Sequence, residues 1–118
     1  MSGEKGYRQF AGDIDGVLEH YGNRAQVVQL WWHNGARSPW VYIGRLRLDD
    51  YRPFSDFLFM ELVQSRFGGG WYRAKIYGQW DRRSRREEYL EQVSFGIGGA
   101  PTAETLDLIR RAQPRGRG

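Results

Sequence analysis

The sequence predicts an α+β fold: a four-stranded antiparallel sheet, built as two strand pairs, packed on a central helix, with short N- and C-terminal helices. Three observations predict it. Two pairs of segments, 26–32 with 40–48 and 71–80 with 89–97, read as strands whose side chains divide onto two faces. The stretch between the pairs opens at Pro53, which suits a helix start because its missing N–H costs nothing there, and closes at Gly68, a natural C-terminal cap. Five Trp, seven Tyr and six Phe in 118 residues supply one modest core and mark a folded chain.

Taken in order, residues 1–11 form an entry segment, and 12–21 a short helix with Ile14, Val17, Leu18 and Tyr21 at helical spacing, weakened by Gly16. In 26–32, Val28, Leu30 and Trp32 share one face and Val27, Gln29 and Trp31 the other. Asn34-Gly35 and Ser38-Pro39 mark the turn into 40–48. There Trp40, Tyr42, Leu46 and Leu48 alternate with Val41, Ile43, Arg45 and Arg47, so the two segments make a hairpin. After a connector, 54–67 reads as the main helix, stopped at Gly68. Its apolar residues spread beyond one stripe, so either other elements wrap it or a second chain meets it. Phe54, Phe57, Phe59, Met60 and Val63 are the candidate oligomer interface. In 71–80, Tyr72, Ala74, Ile76, Gly78 and Trp80 oppose Trp71, Arg73, Lys75, Tyr77 and Gln79. A charged loop, 81–87, leads to a strand at 89–97 with Val93, Phe95 and Ile97 inward, ended by Gly98-Gly99-Ala100-Pro101. Thr102 caps a last helix, 103–112, whose stripe is Leu106, Ile109 and Ala112. The expected organisation is a single domain over 1–113 and a flexible basic tail, 114–118.

Composition excludes several classes. No apolar run reaches the ~18 residues of a spanning helix. The first residues, Met1-Ser2-Gly3-Glu4-Lys5, hold no apolar signal core. With no Cys there are no disulfides or thiolate metal sites, which fits a reducing interior. The net charge of +4 is unevenly spread: residues 66–86 hold seven basic groups against Asp81 alone, and 110–118 hold four arginines and no acid. That segregation favours an acidic partner, either nucleic acid (DNA or RNA) or an acidic protein surface. Sixteen arginines against two lysines suit planar recognition of phosphate and rings, although a GC-rich genome produces the same bias.

The candidate binding residues fall in three groups. Trp71, Arg73, Lys75 and Tyr77 interleave rings and cations on one strand face, and Arg45 and Arg47 join them if the sheet order allows. Arg82, Arg83, Arg85 and Arg86 form an arginine-rich hairpin loop. Arg110, Arg111, Arg115 and Arg117 form a basic C-terminal end. The competing reading is a solvated face whose rings shield arginine stems, with Glu87, Glu88 and Glu91 pairing with the loop. Gly68-Gly69-Gly70 is not a phosphate cradle, because it follows a helix and no Lys-Ser or Lys-Thr follows it. His20 and His33 lie in different elements, and Asp13 with Asp15 or Asp49 with Asp50 read as caps rather than metal ligands. No nucleophile, base and orienter assemble, so a non-enzymatic protein without cofactor or metal is expected.

Phe67-Gly68-Gly69-Gly70-Trp71-Tyr72-Arg73, behind a helix and a Trp-Val-Tyr-Ile-Gly strand and ahead of Phe95-Gly96-Ile97-Gly98, resembles a module of small phage and mobile-element proteins over roughly residues 28–99. The resemblance implies a viral context. The expected function is nucleic-acid binding. Its rivals are a virion structural or assembly protein that self-associates through 54–67, and an inhibitor of a host nucleic-acid-processing protein.

Overall fold

The computed structural model describes residues 13–35, 39–51 and 58–112. Helix α1 (Ile14–Tyr21) starts where the Asp13 carboxylate accepts the Gly16 N–H at 2.8 Å, and ends at Gly22, whose φ of 57° few other residues adopt at low cost. A 3₁₀ turn leads into β1 (Val27–His33), which pairs antiparallel with β2 (Val41–Arg47). Helix α2 spans Phe59–Arg66, then come β3 (Gly68–Asp81), β4 (Arg86–Pro101) and α3 (Ala103–Ala112). The sheet order is β2-β1-β3-β4, antiparallel throughout, which is the expected α+β architecture.

The three helices among the described residues pack on one face of the sheet. Val28, Leu30, Trp32, Leu46, Tyr72, Ala74, Ile76, Val93 and Phe95 point into that layer and meet Ile14, Val17, Phe59, Val63 and Phe67. Tyr72 is the largest fully buried side chain, stacked on Phe95 with centroids 5.3 Å apart and donating its hydroxyl to the Gly68 carbonyl at 2.6 Å. Burial pushes the Tyr72 pKa well above its ordinary 10.0, so the hydroxyl stays a donor.

Several expectations change. Leu58 is extended, so the central helix begins at Phe59 rather than at residue 54. Phe59 and Val63 are fully buried in the chain's own core and Met60 packs against it, so at these positions other elements of the same chain wrap the helix, the first of the two alternatives. Phe54 and Phe57, like Arg115 and Arg117, lie outside the described residues. The β1–β2 register slips between Leu30 and Trp31: Leu30 faces Gly44, but Trp31 faces Tyr42. This bulge puts Val41 and Ile43 against the core and Tyr42 on the opposite face, reversing the expected alternation for the first half of β2.

The triple glycine does stop α2, with Gly68 at φ 84°, but it is also the first part of β3. It pairs with the glycine-rich end of β4, which was expected to fall outside the strand. Glycine is required at Gly69 by this close approach, since a Cβ there would lie 1.8 Å from the Gly99 carbonyl oxygen, whereas Gly99 needs glycine for its φ of 99° rather than for space. In α3 it is Thr105, not Leu106, that turns inward, and Leu106 is exposed. The Thr102 and Thr105 hydroxyls donate to the Arg66 and Phe67 carbonyls at 2.7 and 2.8 Å, joining the start of α3 to the end of α2.

Candidate nucleic-acid interface

Among the described residues no element covers the second face of the sheet. Registers place Gln29, Trp31 and His33 of β1, Tyr42, Arg45 and Arg47 of β2, and Trp71, Arg73, Lys75 and Tyr77 of β3 on it together. Arg45 and Arg47 therefore do share the face of Arg73 and Lys75, with β1 lying between their strands. A second bulge, between Ile76 and Tyr77, sets Tyr89 of β4 opposite Tyr77, their rings 5.7 Å apart. A third, between Tyr77 and Trp80, turns Trp80 onto the open face, whereas alternation places it on the face opposite Tyr77.

Rings and cations interleave there. The Arg73 guanidinium lies 4.4 Å from the centroid of Trp40, whose ring also meets His33. The Lys75 ammonium lies 5.2 Å from the centroid of Trp31, which packs on Tyr42. These cation–π contacts hold both cations on the sheet without neutralising them. Trp71 lies over Gly96, where any Cβ would come within 2.7 Å of its ring. Trp71, Trp80 and Tyr89 remain 56, 60 and 54 % exposed, so their rings are available to a flat partner.

The acids near the hairpin pair elsewhere than expected. Glu87 binds Arg45 across the sheet, Glu88 binds Arg24 at 2.6 Å, and Glu91 accepts the Tyr21 hydroxyl at 2.8 Å. That hydrogen bond, with burial, raises the Tyr21 pKa. Arg82, Arg83, Arg85 and Arg86 consequently have no ion-pair partner among the described residues, nor does Arg47. The turn itself is held by Asp81, which accepts from the Arg83 N–H and the Ser84 hydroxyl, both at 3.0 Å.

Arg110 and Arg111 belong to the helix layer, where each meets Asp107, and the fold does not bring them to the open face. Asp13 caps its own helix, and Asp15 accepts the Phe59 and Met60 N–H groups at 2.5 and 3.0 Å. Among the described residues no three His, Asp or Glu side chains gather as metal ligands, and no helix is long and apolar enough to cross a membrane. Sequence reasoning missed Trp31, Trp40, Tyr42, Trp80 and Tyr89 as members of this face. The one available signal was their aromatic character beside cationic strands. A search of protein families, curated proteins and solved structures finds no match to this chain.

Proposed function

We propose that this chain is a non-enzymatic nucleic-acid-binding protein that lays a single strand across its uncovered sheet face. The observation that carries the reading is the face itself. Exposed Trp71, Trp80 and Tyr89 alternate with Arg73, Lys75, Arg85 and Arg86, while Glu87 and Glu88 are engaged with other elements. A flat sheet of this kind offers rings to unstacked bases and cations to the phosphates between them. A duplex keeps its bases stacked and would use only the charges. Self-association through 54–67 has less support, because Phe59 and Val63 are already inside the monomer core.

The test is a titration of labelled single- and double-stranded oligonucleotides at two salt concentrations. Four phosphate contacts give a log–log slope of about −3, so a fourfold rise in salt should weaken single-strand binding roughly 50-fold. Single strands should bind more tightly than duplex. Absence of binding at low salt overturns the reading. So does unchanged affinity after charge reversal at Arg82, Arg83, Arg85 and Arg86.

A further inference from the structure

At the root of the β3–β4 hairpin the open face deepens into a groove of 570 Å³ lined by Gln29, Lys75, Tyr77, Trp80, Arg85, Arg86, Glu87, Tyr89 and Gln92. The lining divides by chemistry. Lys75, Arg85 and Arg86 supply positive charge, and Tyr77, Trp80 and Tyr89 supply rings. Gln29 and Gln92 supply amides that donate and accept. Glu87 is the one acid, and Arg45 already occupies one of its oxygens. Burial and the neighbouring Tyr77 raise the Tyr89 pKa, so its hydroxyl brings no negative charge at neutral pH.

We infer that this groove is a subsite for one nucleoside phosphate unit, with the base against Trp80 and Tyr89 and the phosphate against Arg85, Arg86 and Lys75. The inference rests on the nucleic-acid reading above and adds to it a place where one nucleotide is held more firmly than its neighbours. Rings without nearby cations suit any flat ligand, and cations without rings suit any anion. A phosphate joined to a planar base uses both parts of the lining at once.

The backbone gives independent support. Arg85 has φ 59°, the only positive φ at a non-glycine among the described residues. Glycine or asparagine would hold that turn position at lower cost. An arginine kept there, lining the groove and free of any ion pair among the described residues, fits a binding role better than a turn-forming one.

The experiment is calorimetric titration of the full chain with a nucleoside 5′-monophosphate, with the same nucleoside lacking phosphate, and with inorganic phosphate. The monophosphate should saturate one site, and each fragment should bind at least about tenfold more weakly. Trp80→Ala should weaken the monophosphate roughly fivefold or more, given the usual worth of one stacked base. Arg85→Asn with Arg86→Gln should do the same while preserving the turn, with thermal unfolding confirming that the variants stay folded. Competition by a single-stranded oligonucleotide identifies the occupant as a unit of a polymer, and failure to compete identifies it as a free nucleotide. Equal binding of monophosphate and inorganic phosphate overturns the inference, as does indifference to Trp80→Ala. If oligonucleotides bind while monophosphate does not, the groove inference falls and the open-face reading stands. If neither binds, both fall.

Discussion

Trp71 and Gly96 show how a single position serves both packing and exposure. The indole spreads over a residue without a side chain, so one ring face is supported by backbone while the residue stays 56 % exposed. Gly69 is the stricter case. Its Cβ would meet the Gly99 carbonyl at 1.8 Å, a backbone atom that cannot rotate away. Gly69→Ala should therefore destabilise by at least about 2 kcal/mol through overpacking at a strand pair. Gly98 has no neighbour within 4 Å of its Cβ position among the described residues, so Gly98→Ala should stay within about 0.5 kcal/mol of the parent. Urea unfolding of the two variants distinguishes a steric need for glycine from a general need for glycine in this segment. The sequence shows the glycine clusters at 68–70 and 98–99 plainly. It does not show that they face one another, because that depends on a pairing between segments some thirty residues apart.

At the scale of elements, what was legible followed local periodicity. Helix α3 runs over the predicted residues, and β1 keeps Val28, Leu30 and Trp32 inward as alternation requires. What was not legible came from irregularities in pairing. Each bulge inserts a residue and shifts the period, which is how Tyr42 and Trp80 reached the open face. The start of α2 is another case. Leu58 occupies the capping position but has no side-chain acceptor, and Asp15 from α1 satisfies the first two N–H groups instead. Asp15→Ala should cost about 1–2 kcal/mol, the usual worth of an N-cap, read as a lower urea midpoint at unchanged slope. Asp15→Asn keeps one acceptor oxygen and should lose less. Equal stability of the alanine variant and the parent would show that water replaces the carboxylate. No pattern within residues 58–66 announces this contact, since its other half lies in a different helix.

Across the whole molecule, the proposed function assigns stability to one layer and recognition to the other. Helices and core side chains occupy one side of the sheet, and the ring-and-cation surface occupies the other. Charge should then act by position rather than by total. Reversing Arg85 and Arg86 to Glu takes the formal charge from +4 to zero, since each exchange removes two units, and reversing Arg110 and Arg111 does the same. The first pair borders the groove on the open face, whereas the second pair sits in the helix layer beside Asp107. With a Debye length of about 8 Å at physiological salt, charges on the far side of the molecule contribute little to a ligand lying on the sheet. The 85/86 reversal should therefore lower single-strand affinity by more than about tenfold and flatten its salt dependence by roughly two phosphate contacts. The 110/111 reversal should change it by less than about twofold at that ionic strength. Equal losses in the two variants would mean that net charge alone attracts the ligand, leaving the aromatic face no special part in binding.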